Sequence, residues 1–117
     1  MDIRDLVHAL VLGDLLAARQ WVTDAHRMNL DWKTIPEPVD LNERHAAIAA
    51  GMVELFAERT GATAPEWTSK IGAVHELLIL DPGLERMPRS FARAMANGPD
   101  ALRKRNLVAL PEFLEVA

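Results

Sequence analysis

The stretch LNERHAAIAAGMVELFAERTG, Leu41 to Gly61, carries a longer unbroken helical period than any other part of the chain and is rich in Ala. Leu41, His45, Ile48, Met52 and Leu55 recur at the spacing that gives a helix one apolar stripe. Asp40 with Glu43 three residues on has the form of a capping box, and Gly61 supplies a residue that tolerates the left-handed stop. Ala46, Ala47, Ala49, Ala50 and Gly51 keep this helix slim, so neighbouring elements can approach its axis closely. It is expected at the centre of the fold. Glu54 and Glu58, four apart and off the stripe, read as a solvated face rather than a catalytic pair of carboxylates.

The elements around it follow from local signals. Ile3, Leu6, Val7, Leu10 and Val11 predict a first helix, and Gly13-Asp14 reads as a C-terminal glycine followed by an N-cap. A second helix is then expected over about Leu15 to Met28, with Leu15, Ala18, Val22 and Ala25 on one face. The alternative is one kinked helix, because an isolated Gly costs only about 1 kcal/mol inside a helix. LDWKTIPEPVDL, with two prolines and no period, is an extended connection anchored by Trp32 and Ile35. Thr63 and Glu66 around Pro65 predict a short helix ended by Gly72. Leu77 to Leu80 is read as extended and buried before the turn Asp81-Pro82-Gly83. Helices are expected from Pro88 to Asn97 and, shorter, from Pro99, with one more turn in ALPEFL. Together these give an all-α fold of five or six helices, with an N-terminal helix hairpin packed on the helix that begins near Leu41.

At 117 residues, half of them apolar, the chain suits one domain, residues 1–117, with an independent core. It has no Cys, which removes disulfides, thiolate metal sites and a cysteine nucleophile together. Runs free of charged residues, such as Leu6 to Gly13 and Ala46 to Val53, fall far short of the ~20 residues that cross a bilayer. MDIRDL places acids where a secretory signal needs bases, so a cytoplasmic setting without membrane contact is expected.

Chemistry-bearing motifs are sparse. The four His, at 8, 26, 45 and 75, never fall at i, i+3 or i+4 from one another, the spacing at which one helix supplies two metal ligands. His45, on the apolar stripe, is the one expected to be buried. Ser69 and Ser90 are the only serines, and neither lies in a nucleophile elbow; no glycine-rich phosphate loop is present. No catalytic, metal or cofactor site is assigned. An enzyme remains as a third reading, its site assembled from distant His and carboxylates.

Charge is divided unevenly along the chain. Residues 1–85 hold seven Lys/Arg against fourteen Asp/Glu, whereas residues 86–105 hold six against one. Arg86, Arg89 and Arg93, three and four apart, would form one cationic ridge on a helix. Arg103, Lys104 and Arg105 form a second cluster. Bidentate guanidinium groups suit carboxylates on a protein surface as well as phosphates. A plain solvated face, a docking face for an acidic partner protein, and a nucleic-acid grip are the three readings of this segment. The last would use Ser90 to Leu107 as a helix-turn-helix, although the net charge of −4 argues against general binding to DNA. Trp21, Trp32 and Trp67 stand near element ends, where they pin loops to the core or project as interface anchors. Phe113 and Leu114 either dock back on the domain or meet a partner.

The strings GDLLAARQWVTDAHRMNLDW, LDPGLERMPRSFARA and above all RNLVALPEFL resemble a group of small bacterial all-helical proteins with no assigned activity. The resemblance implies a bacterial cytoplasmic setting and transfers no catalytic residue. In that group the segment matching Val74 to Leu80 tends to be proline-rich and extended, from which His75 and Glu76 depart. The expected function is a non-enzymatic interaction module, antitoxin-like or accessory to a larger protein, that uses both basic clusters.

Overall fold

The computed structural model describes residues 1–115. Helix α1 (Ile3–Val11) starts where the Asp2 side chain accepts from the Arg4 amide, and it buries Ile3, Leu6, Val7 and Leu10. It stops because Gly13 turns left-handed, with φ of 71°. Asp14 then caps α2 (Leu15–Arg27) by accepting from the Ala17 amide. The chain therefore makes two helices and not one kinked helix. α1 packs against both α2 and the long helix α3 (Glu43–Arg59).

α3 begins two residues later than its capping box predicts. Asp40 is left-handed, with φ of 61°, and lies outside the helix. Asn42 is the cap instead, extended and accepting from the His45 amide at 2.8 Å. Side-chain capping needs that extended backbone at the cap position, which Asp40 does not have. His45 itself is half-buried rather than buried.

The slimness of α3 has the expected consequence. Every residue from Ala47 to Val53 is buried, as are Leu55, Phe56 and Ala57. A Cβ added at Gly51 would stand 2.9 Å from Leu102 Cδ2 and 3.2 Å from Leu107 Cδ1, so the glycine lets the C-terminal third settle directly on the helix. That third contains α4 (Pro88–Asn97), the one-turn helix α5 (Asp100–Arg103), and strands β1 (Leu78–Ile79) and β2 (Leu107–Val108). α5 packs on α3.

The chain is mainly helical, and the ribbon of β1 and β2 is the departure from an all-α architecture. The strands run parallel, with Leu78 opposite Leu107 and Ile79 opposite Val108. Leu78 N–H donates to Asn106 O and Leu80 N–H to Val108 O, each at 2.9 Å. Successive strand residues point to opposite faces. Leu78 and Leu107 thus join the main core, while Ile79 and Val108 join a second cluster with Leu84, Phe91 and Ala94. This second cluster seats α4 on the far side of the ribbon.

Between Thr63 and Gly72 a 3₁₀ turn, Glu66–Lys70, replaces the predicted helix, and it has no side-chain cap. All three tryptophans pin the chain to the core. Trp21 Nε1 donates to Asp2 O, Trp67 Nε1 donates to Ile35 O, and Trp32 stacks on Phe56 at 5.2 Å between centroids. Phe113 and Leu114 are buried in the main core. Arg59 ties their turn down by donating to the carbonyls of Phe113 and Pro111. No helix among the described residues is long and apolar enough to cross a membrane.

Candidate functional site

The six cations proposed as a binding set do not form one surface. Arg105 is only 1% exposed and lies against α3. Its Nη1 donates to Glu54 Oε1 at 2.9 Å and Ala101 O at 2.8 Å. Its Nη2 donates to Glu54 Oε2 and Thr68 O, both at 2.8 Å. Nε donates to Ile71 O at 3.2 Å, so the five N–H groups of the guanidinium are all matched. Arg105 has no donor left for a partner and leaves the proposed set. Its physical role is internal: an unpaired charge in that position would be costly, and the fork of Glu54 is what makes burial tolerable.

Glu54 is likewise removed from the solvated face expected for it, with its side chain 14% exposed. Burial pushes its carboxyl up, but hydrogen bonds from Arg105 and Lys104 outweigh that and hold it at about 2. Lys104 Nζ lies 2.7 Å from Glu54 Oε1 while its own side chain remains 57% exposed. Two cations therefore share one carboxylate. Glu58, one turn further along, is exposed as expected.

The remaining cations belong to α4 and its approach. Arg86 falls in the 3₁₀ turn Leu84–Arg86, ahead of the helix, so the ridge is not built on one helix as its spacing suggests. Arg89 and Arg93 are on α4 and, like Arg86, exposed. Arg93 makes a two-pronged contact with Glu112, 2.9 Å on each prong, which lowers the Glu112 carboxyl pKa. Both side chains of that pair stay about half exposed, at 52% and 47%. Among the described residues, Arg86 and Arg89 have no acidic partner within reach. Arg103 meets Asp100 at 3.4 Å, and Asp100 is 90% exposed.

α4 divides these groups. Residues two apart on a helix point about 200° apart, so Arg93 and Met95 leave α4 on different flanks. Arg93 faces the C-terminal turn through Glu112. Met95 helps to line a groove of about 440 Å³ together with Leu77, Asp100, Arg103 and Lys104. Met95 falls outside any recognised motif, and Leu77, expected to be buried as part of the run Leu77 to Leu80, is 51% exposed instead.

A helix-turn-helix is not presented here. α5, the element that would enter a groove, is four residues long, or about 6 Å. The cation that would follow it, Arg105, is inside the protein. Gly98, expected in the turn, is buried; a Cβ there would stand 2.6 Å from Ala94 O and 2.7 Å from Ala109 O.

Elsewhere, a hollow of about 730 Å³ opens between the end of α2 and the end of α3. Its aromatic floor is already engaged, with Trp32 stacked on Phe56 and Arg59 over the Phe56 ring at 5.5 Å. His8, His26 and His75 are exposed and separate. Among the described residues, no group of three or more His, Asp or Glu stands together in a way that could hold a metal ion. No family model matches the chain, and no curated protein or solved structure matches it.

Proposed function

We propose that this protein is a non-enzymatic interaction module whose α4 flank holds an acidic surface of a partner protein, as the accessory or neutralising half of a two-protein assembly. The observation that carries the reading is the exposed pair Arg86 and Arg89, without acids in reach, beside the half-exposed Arg93. A surface ion pair such as Arg93 with Glu112 is worth about 0–1 kcal/mol, so Arg93 can exchange Glu112 for a partner's carboxylate at little cost. Guanidinium groups at this spacing present several bidentate donors to one acidic stretch. Arg103 and Lys104 border a different flank, and Arg105 is excluded by burial.

The test is capture of partners from the host by the tagged protein after nuclease treatment, at low and moderate salt. One stoichiometric protein retained at both salts, and lost when Arg86→Glu and Arg89→Glu are combined, is the expected result. A partner that ignores the double reversal sinks the reading.

A further inference from the structure

We propose that the groove between α4 and the β ribbon receives an aliphatic side chain carried on an acidic segment of a partner protein. The inference rests on the interaction reading above and adds to it a second contact, apolar in character, on the opposite flank of α4. Leu77 and Met95 both line it and are 51% and 41% exposed, large apolar groups held in water at one opening. Leu107 and Val108 of the ribbon also line it, both buried. A volume of about 440 Å³ lies in the range of sites that enclose a small ligand or a few side chains. Methionine in the lining adapts its shape to what enters, because its side chain is unbranched and polarizable.

Charge selects the acidic character of the occupant. Glu54 holds one negative charge against both Arg105 and Lys104, so these three side chains together carry a net charge of +1. Of the two cations, Lys104 is the one that lines the groove and remains exposed. Arg103, beside it, is balanced only by the solvated Asp100 at 3.4 Å, a contact that a better-placed carboxylate replaces. With Asp100 on the same lining as Arg103 and Lys104, the groove keeps a net positive charge beside its apolar residues, which fits a segment in which acids flank a Leu or Ile. A basic segment meets repulsion there, and a purely acidic one leaves the apolar residues uncovered.

The experiment follows the Met95 methyl resonance of the full chain, labelled at its methionine methyls, with four short probes. These are an acidic peptide with a central Leu, the same peptide with Ser in that place, a Lys-rich peptide with the Leu, and a single-stranded oligonucleotide. The Leu-bearing acidic peptide is expected to move the Met95 methyl and to bind about tenfold more tightly than its Ser counterpart. Met95→Glu and Leu77→Ser are each expected to reduce that binding about tenfold. Equal binding of the Ser and Leu peptides, a Met95 methyl that stays still, or the same shift with the oligonucleotide overturns the proposal. The two readings separate cleanly. Peptide held through Arg86 and Arg89 with Met95 unmoved removes the groove and leaves the interaction reading. Filling of the groove, together with partner capture indifferent to the Arg86→Glu/Arg89→Glu reversal, removes the ridge and keeps the groove.

Discussion

The guanidinium of Arg105 and that of Arg89 stand at opposite ends of the solvent scale. The first is 1% exposed with each N–H matched, and the second is exposed with no acid nearby among the described residues. Both come from one basic stretch of sequence, and nothing in residue type separates them. Their difference shows that a cation's role is set by what the fold brings to it. Arg105 meets Glu54 and three carbonyls because α5 and the 3₁₀ turn Glu66–Lys70 lie directly on α3. Arg89 meets none because α4 touches the protein through its other face, by way of Ala94 and Phe91.

The comparison breaks most sharply at Arg105. Arg105→Ala leaves Glu54 buried without its main partner, and a loss of about 3–5 kcal/mol is expected in urea unfolding. A stability within about 1 kcal/mol of the parent would show that the interior cation is no more committed than the surface ones. Replacing both members, Arg105→Met with Glu54→Leu, should restore a large part of the loss, since the desolvation cost disappears with the charges.

Gly98→Ala comes next, because Gly98 joins the exposed ridge helix to the buried anchor. The new Cβ collides with two carbonyl oxygens, and a cost of about 1–3 kcal/mol is expected from the forced backbone shift. Unchanged thermal unfolding would mean that α4 is free to move away from β2.

Acid sharpens the contrast further. The folded carboxyl of Glu54 is depressed to about 2 from an ordinary value of 4.5, so its stabilisation is present above about 4.5 and is lost as pH falls toward about 2. Its size is about 2 kcal/mol once the remaining solvent access of the carboxylate is allowed for. Urea midpoints measured down this limb should fall steeply for the parent and nearly flatly for Glu54→Gln. Parallel limbs in the two proteins would place the acid sensitivity elsewhere.

The smallest effect belongs to the surface. Arg93→Ala should cost less than about 1 kcal/mol, because the Glu112 pair is half in water. Arg86→Glu and Arg89→Glu should leave thermal stability within about 0.5 kcal/mol, a change typical of surface positions, and act on partner capture alone. A large drop in melting temperature from either change would show that the ridge has an internal partner after all.

Much of the fold could be read from local signals. The boundaries of α1, α2 and α4 follow from Gly13-Asp14 and from Pro88, whose chemistry acts within one turn of chain. The ribbon was illegible because each strand is two residues long and its partner lies far along the chain. The run Leu77 to Leu80 reads as extended and buried, yet Leu80 alone is buried, Leu78 and Ile79 are half-buried and Leu77 is 51% exposed. The α3 cap slipped by two residues because Asp40 and Asn42 both suit the role and backbone conformation chose between them. The Glu54–Arg105 pair was missed for the same reason as the ribbon. One signal was available: Glu54 is the only Asp, Glu, Lys or Arg between His45 and Ala57, a lone acid in a slim helix that must be enclosed on several sides.

The partners of Arg105 also impose an order in time. Glu54, Thr68, Ile71 and Ala101 all precede it in the chain, and β1 precedes β2. The carboxylate of Glu54 and its cation are 51 residues apart, which at about 5–20 residues per second of synthesis is a wait of roughly 3–10 seconds. During that interval the middle of α3 carries an acid with no counter-ion and a glycine notch with nothing resting in it. Closure of so long a loop is slow compared with helix formation, so the hairpin and α3 are expected to form early and the ribbon to close last. The emergence of one arginine thus marks the point at which the nascent chain can lock its own centre.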